Sequence, residues 1–237
     1  MAAATMLACW VASGRVLSRS PVARTPGSAL RCLAGAHTFE RAAERIEFVG
    51  SFSNWTSMPA SRLPEIALFG RSNVGKSSAL NCLAGRSRTK VARVSKTPGC
   101  TTAINLYRAG NVCTVCDLPG YGFAKRGKEL QEEWGRAISD YVAEREQLRV
   151  MVAFVDPRHG PKDNDANFFA WLRDFKIKDA RLITVATKVD ALKPNEVEGR
   201  LLELQAAYGL REMPLPFSSV TGAGRSQLWR AIEGAAD

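Results

Sequence analysis

The chain has 237 residues, 46% hydrophobic and 24% charged, enough apolar material for one domain with a large core plus an extension. No apolar stretch free of charge approaches the roughly 18 residues a membrane-spanning helix requires, so no membrane-spanning helix is expected. The formal net charge is +10, but it is unevenly placed: beyond residue 39 there are 29 basic against 23 acidic groups (33 − 4 against 23), and a body this basic points to a polyanionic partner such as RNA, with a solvated basic surface as the plainer reading.

Residues 1–39 contain Arg15, Arg19, Arg24 and Arg31 and no acid; Glu40 is the first. An arginine-, serine- and alanine-rich, acid-free start of this kind reads as an organellar transit peptide, disordered and outside the fold, with an ordinary disordered tail as the alternative. Residues 40–63 form a lead-in: "TFERAAERIEFVGSF" reads as a short helix or irregular approach, and "NWTSMPASRLP" is rich in turn residues. The body, 64–237, then alternates. A short apolar strand at 66–69 meets "GRSNVGKSS", and a helix runs on to Gly85. The basic, acid-free segment "RSRTKVARVSKTPGCTT", with Arg86, Arg88, Lys90, Arg93 and Lys96, is expected to be mobile. "TTAINLYRAGNVCTVCD" reads as two strands joined at Ala109-Gly110-Asn111.

A long amphipathic helix follows, with Leu130, Trp134, Ile138, Tyr141 and Val142 on one face, and then the buried strand "LRVMVAFVD". Next come the helix "NDANFFAWLRDF", another buried strand "ARLITVAT", the helix "PNEVEGRLLELQAAYG", the short strand "LPFSS" and the helix "GRSQLWRAIEGAA". The aromatics Phe168, Phe169 and Trp171 fall at core spacings, as does Trp134. The order predicts a three-layer α/β domain: a mostly parallel sheet with one antiparallel edge strand, helices on both faces, and ligands at the carboxyl ends of the strands.

Six cysteines (Cys9, Cys32, Cys82, Cys100, Cys113, Cys116) include a C-x-x-C at 113–116. Residues three apart in a strand point to opposite faces, so that pair cannot share a metal; the cysteines read as buried and reduced.

Four motifs carry chemistry. Gly70 to Ser77 has the spacing G-x-x-x-x-G-K-[ST] between a strand and a helix. Its backbone N–H groups and the helix N-terminus would cradle phosphate, Lys76 would reach the β- and γ-phosphates, and the Ser77 hydroxyl would ligate Mg²⁺. "DLPG", Asp117 to Gly120, places a carboxylate near that ion and the Gly120 N–H near a γ-phosphate. In "TKVD", Thr187 to Asp190, the acceptor-only Asp190 takes both N1–H and N2–H₂ of guanine, and Lys188 lies along the base, which selects GTP over ATP. In "SSVTG", the Ser219 N–H can donate to guanine O6. Thr101 or Thr102 would coordinate Mg²⁺ while a γ-phosphate is present and release on hydrolysis. A P-loop ATPase or kinase is the minor alternative.

"GRSNVGKSSALN", "SKTPGCTTAINLY", "DLPGYGFAK", "WGRAISDYVAERE", "VDPRHGPKDND", "TKVDALKP" and "FSSVTGAG" together resemble the EngB (YihA) family of small GTPases, in the group that includes Era and the tRNA-modifying GTPase MnmE. The resemblance spans roughly 64 to 233 and implies a P-loop G domain that assists assembly of the large ribosomal subunit, here in an organelle. It implies ribosomal RNA or large-subunit proteins as partners; a monomer is expected, and the arginine-rich leader points to the mitochondrion, with a plastid as the alternative. It also selects Thr101 as the switch threonine. The residues expected to contact GTP or GDP are then Gly70, Arg71, Ser72, Asn73, Val74, Gly75, Lys76, Ser77, Ser78, Thr101, Asp117, Gly120, Thr187, Lys188, Asp190, Ser218, Ser219 and Val220. Ser77, Thr101 and Asp117 are expected around Mg²⁺, and Lys76, Thr101, Gly120 and Asn73 at the reacting phosphate. Cys100 stands where the family often has a basic residue, which removes one RNA contact.

Ras-type enzymes carry a water-orienting Gln where this chain has Tyr121, so slow intrinsic hydrolysis is expected. In related GTPases a phosphate-loop asparagine helps bind K⁺, and Asn73 stands at that place, which implies K⁺-stimulated turnover. His159 in "DPRHG" reads as a loop histidine beside Arg158 in preference to a general base, and Arg158 as an arginine finger has no support in the sequence. The favoured function is a GTP-hydrolysing switch; the alternative is a GTP-dependent RNA- or protein-binding module whose hydrolysis is incidental.

Overall fold

The computed structural model describes Phe39, Ala42 and residues 45–85, 91–92, 103–121, 128–175 and 179–236, with side chains of the long central helix described from Gly135 onward. Seven strands form one sheet: β1 (Ile46–Phe52), β2 (Glu65–Gly70), β3 (Ile104–Ala109), β4 (Cys113–Asp117), β5 (Leu148–Val155), β6 (Arg181–Ala186) and β7 (Leu215–Pro216), in the order β1-β3-β4-β2-β5-β6-β7. β3 pairs antiparallel with both β1 and β4, and every other pairing is parallel. β2 and β5 bury almost every residue, as their unbroken apolar runs predict.

Five α-helices cover the sheet: α1 (Lys76–Leu83), α2 (Lys128–Glu144), α3 (Asp163–Asp174), α4 (Pro194–Tyr208) and α5 (Arg225–Ala236). Alternation along the strands sends Ile66, Leu68, Val150, Val152 and Phe154 into one core with Leu80, Leu228 and Trp229, so α1 and α5 lie on that face. Ala67, Phe69, Met151, Ala153 and Val155 enter a second core with Tyr141, Phe168, Phe169, Leu204 and Tyr208, which places α2, α3 and α4 on the other. Phe168, Phe169 and Trp171 are buried as expected, and Ile138, Tyr141 and Val142 pack inward from α2. Leu130 and Trp134 lie outside the described side chains.

The structure differs from the sequence reading at both ends of the sheet. The segment read as a helix or irregular approach contains β1, so the antiparallel strand β3 lies one place in from the edge. The alternation there was masked: Phe48 and Val49 are both exposed, and a bulge between Phe48 and Gly50 breaks the two-residue period. Phe39, the last residue of the stretch set apart as a leader, is buried against Trp229 of α5 at a ring-centroid distance of 6.4 Å, so the fold begins no later than that residue. The rest of 1–38 lies outside the described residues. At the far edge β6 is buried only in its second half, because β7 pairs only with Val185 and Ala186.

Cys113 and Cys116 are buried thiols in opposite cores, and burial pushes Cys113 up to about 12 and Cys116 well above its ordinary value, so neither offers a thiolate. Cys82 is half-buried; Cys9, Cys32 and Cys100 lie outside the described residues. Among the described residues no helix is long and apolar enough to cross a membrane. Within the basic segment, Val91–Ala92 is anchored: the Asn81 side chain of α1 donates to the Ala92 carbonyl at 2.9 Å and accepts from its N–H at 2.8 Å. The segment's mobility and its basic residues Arg86, Arg88, Lys90, Arg93 and Lys96 lie outside the described residues.

At the base of the sheet, Glu65 is fully buried and holds α2 in place. It accepts from Tyr141 Oη at 2.8 Å and from Arg145 Nε and Nη2 at 2.9 and 2.8 Å. Removing one partner of a buried ion pair leaves a charge uncompensated. Arg145→Met is therefore expected to lower unfolding free energy by about 3 kcal/mol, measured by urea denaturation, and a second change, Glu65→Gln, to restore part of the loss.

Candidate functional site

Because β2, β4, β5 and β6 are parallel, their carboxyl ends share one edge of the sheet, and the four sequence motifs meet there. The phosphate loop turns out of β2 at Gly70, whose φ of 148° and close approach suit no side chain: a Cβ would stand 2.8 Å from the Phe154 carbonyl oxygen. Asn73 adopts the left-handed region at φ 62° and is exposed. Val74 is buried beneath the loop, Gly75 caps α1, and Ser77 and Ser78 lie in the helix's first turn.

Lys76 is buried; its Nζ donates to the carbonyl oxygens of Gly70 at 3.0 Å and Arg71 at 3.4 Å. Asp117, at the end of β4, is also buried, and its Oδ2 accepts from Ser77 Oγ at 2.8 Å. Its Oδ1 is buried with no hydrogen-bond partner among the described residues. Burial lowers the Lys76 pKa, against the opposing pull of Asp117. Burial likewise raises Asp117, against Lys76 and the Ser77 hydroxyl. Each group is thus short of counter-charge, and an anion at Lys76 and a divalent cation at Asp117 Oδ1 and Ser77 Oγ would each reverse the shift. The donor set is all oxygen, as Mg²⁺ prefers, so these residues fit that ion. Among the described residues no cluster of three His, Cys, Asp or Glu side chains offers an alternative metal site. Thr101 and Thr102 lie outside the described residues.

Gly120 rests on the phosphate loop. A Cβ there would stand 2.6 Å from the Ser72 N and 2.8 Å from its Cα, so only glycine permits the approach. Next to it, Tyr121 accepts from the Ser72 N–H at 3.3 Å.

The "TKVD" segment is fastened to the same loop. Thr187 Oγ1 donates to the Val74 carbonyl at 2.7 Å, and Lys188 Nζ donates to the Asn73 carbonyl at 2.8 Å, joining residues 115 apart in sequence. Asp190 is exposed at the head of a short 3₁₀ turn, with its carboxylate available to a base. The last motif lies beside it, since the Val189 N–H donates to the Phe217 carbonyl at 3.3 Å. Ser218 is buried and its Oγ accepts from the N–H groups of Val220 and Thr221 at 3.2 and 3.1 Å, while Ser219 and Val220 are exposed.

Two carboxylates of the site, Asp156 and Asp165, have roles that the sequence reading did not assign. Asp156, directly after β5, accepts from Lys188 Nζ at 2.9 Å and from Arg158 Nε and Nη2 at 2.9 and 2.8 Å. Burial alone would raise its pKa, but the bonds from Arg158 and Lys188 outweigh it and hold the carboxylate well below its ordinary range. Arg158 is thereby committed to Asp156, beside Lys188 of "TKVD". His159 is exposed in the same turn. Asp165 of α3 is fully buried and receives Arg71, Tyr121 and Tyr208. Arg71 reaches Asp165 through its Nε, so its side chain is turned toward α3. An acid that closes an apolar strand at its ligand end is a signal that could have found Asp156; Asp165, in a helix's first turn, gives no signal of its own.

Fold and site define a P-loop GTP-binding protein. A family model described as 50S ribosome-binding GTPase matches residues 65–188, just over half of the chain. A "Probable GTP-binding protein EngB" of Desulfotalea psychrophila is 40% identical over 189 residues, covering 79% of this chain and 95% of that one. Another from Natranaerobius thermophilus is 41% identical over 171 residues, covering 71% and 86%. The chain belongs to the EngB family of GTPases. Among solved structures, a probable GTP-binding protein engB shares the fold at 23% identity and a TM-score of 0.56, covering 73% of this chain and 98% of that one. Era in complex with MgGDPNP and nucleotides 1506–1542 of 16S ribosomal RNA does so at 22% identity and a TM-score of 0.58; 75% of this chain matches 58% of the Era chain.

Because its folded-state pKa is depressed, Asp156 contributes stability that is fully present above the ordinary carboxylate value and is lost as pH falls toward the folded one. Asp156→Asn is expected to cost about 1–2 kcal/mol, a difference from the parent that is constant above about pH 5 and narrows below about pH 4 in urea denaturation series.

Proposed function

We propose that this GTPase binds precursors of an organellar large ribosomal subunit in its GTP state and leaves them after hydrolysis, with the mitochondrion as its location. The observation that carries the switch is the packing of Gly120 on Ser72: the glycine that would meet a γ-phosphate already touches the loop that would cradle it. Loss of that phosphate would remove the ligand the two segments share. The ribosomal part is supported by the description of the matching family model and by the charge beyond residue 39, 29 basic against 23 acidic residues (33 − 4 against 23), which suits an RNA-rich partner. The acid-free residues 1–39 support import into an organelle.

In this reading the backbone of Gly70 to Ser78 orients the phosphates and Lys76 neutralises the β- and γ-oxygens. Ser77, Asp117 and Thr101 would hold Mg²⁺, which when bound supplies charge neutralisation across those oxygens. Asp190 reads guanine, Lys188 lies along the base, and Ser218, Ser219 and Val220 close the site around it. Tyr121 has no amide with which to orient water, so hydrolysis rests on placement by the Gly120 N–H and on charge. Asn73, exposed at the lip of the loop, is where K⁺ would add positive charge.

Single-turnover hydrolysis and co-sedimentation with mitochondrial large-subunit precursors test the proposal. Binding with a non-hydrolysable GTP analogue, release with GDP, and precursor-stimulated hydrolysis are expected. Equal binding in both nucleotide states would overturn the switch, and tight GTP-dependent binding without stimulation would favour a binding module. Turnover should be faster in K⁺ than in Na⁺; equal rates, with and without precursors, would remove Asn73 from the mechanism. Asp190→Ala should weaken GTP binding by at least roughly tenfold in a fluorescence titration, and the parent should bind ATP far more weakly than GTP.

A further inference from the structure

The carboxylate of Asp165 draws together two segments that flank the phosphates. Its oxygens accept from Arg71 Nε at 3.1 and 2.9 Å, from Tyr121 Oη at 3.0 Å and from Tyr208 Oη at 3.4 Å. Tyr208 is itself fixed, accepting from the Lys162 N–H at 2.9 Å. Arg71 belongs to the phosphate loop, Tyr121 follows the glycine of "DLPG", and both reach Asp165 on α3. A fully buried carboxylate costs desolvation that an apolar side chain of similar size would avoid, so its burial is a poor source of stability. What it supplies is orientation.

Tyr121 is held at three points. Its ring stacks on Phe168 with centroids 4.7 Å apart and an interplanar angle of 17°, its hydroxyl is bound to Asp165, and its carbonyl accepts from Ser72. Arg71 and Tyr121 also form an isolated parallel bridge. The side chain at the position of the water-orienting glutamine is therefore committed to α3. The peptide before it, which carries Gly120, is fixed against the phosphate loop. With no amide to orient water, the placement of the Gly120 N–H carries more of the rate.

We propose that Asp165 is a positioning residue for GTP hydrolysis: acting through Tyr121 and Arg71, it sets the Gly120–Tyr121 segment against the phosphate loop, so turnover depends on it more than nucleotide affinity does. Tyr121→Phe keeps the ring on Phe168 and deletes only the hydroxyl; Asp165→Asn keeps the volume and removes the charge.

The test uses the full chain, with single-turnover GTP hydrolysis, titration with N-methylanthraniloyl-GDP, and urea midpoints. Tyr121→Phe is expected to slow hydrolysis roughly tenfold while the GDP dissociation constant stays within about twofold of the parent. Asp165→Asn, which perturbs the Arg71 link as well, should slow it at least as much, and the double variant should be no slower than Asp165→Asn alone, since the link to Tyr121 is already lost there. Unchanged hydrolysis in Tyr121→Phe would overturn the proposal, and would do so alone if Asp165→Asn failed to fold. Rate losses matched by equal losses of GDP affinity and urea midpoint would also overturn it, as would strictly additive effects in the double variant.

Discussion

Four carbonyl oxygens of the phosphate loop hold the site together. A loop that turns its N–H groups inward toward a phosphate turns its carbonyls outward, and an outward carbonyl near the core needs a donor. Here Gly70 and Arg71 receive Lys76, Asn73 receives Lys188, and Val74 receives Thr187. The carbonyls that such a loop turns outward thus become the attachment of the "TKVD" segment. Thr187 and Lys188 need no contact of their own with a ligand to be essential, because they fix the height of the loop relative to β6. Parallel pairing of β2, β5 and β6 brings their carboxyl ends to one edge of the sheet, which puts these donors within reach of the loop.

The same geometry explains why the site is electrostatically costly. Lys76 and Asp117 are both buried at the end of the sheet, and burial shifts each toward its neutral form despite the other's opposite charge. A pair arranged for stability would bond directly and satisfy every oxygen; here Asp117 Oδ1 has no partner among the described residues, and Lys76 spends its protons on carbonyls. The cost falls where a phosphate and a cation would offset it. Glu65 and Arg145, at the opposite end of the sheet, meet through two short bonds, with Tyr141 adding a third. The two buried pairs differ because one is structural and the other is open to a ligand.

What could be read from sequence follows the range of the physics. The phosphate loop, "DLPG", "TKVD" and the alternation of strands and helices are local patterns, and each occupies the expected strand end. Tyr121 could be seen to lack an amide, but not where its hydroxyl goes, because Asp165 lies 44 residues away on a helix that packs against it. β1 escaped because its bulge breaks the alternation and its exposed face carries Phe48 and Val49, an apolar pair with no regular period. Phe39 escaped for a different reason. One aromatic residue at the border of an arginine-rich stretch has no pattern at all, and only the position of Trp229 gives it a partner.

Asp156 and Asp165 both come from the connection between β5 and the start of α3, and together they span the site. Asp156 fixes Lys188 and Arg158 beside "TKVD"; Asp165 fixes Arg71 and Tyr121 beside the phosphate loop. The 3₁₀ turn at Pro157–His159 joins them, and the Tyr208 hydroxyl that accepts from Lys162 ties the connection to α4. A displacement of this connection would move the anchors of base and phosphate together, whereas a displacement of the phosphate loop alone would strain both. The rigid body of the site therefore includes a segment that contacts no part of the nucleotide in any of the roles assigned above. That is a physical reason for "DPRH" to stand beside the phosphate loop as a mark of this chain: its aspartate supports the lysine that the loop itself receives.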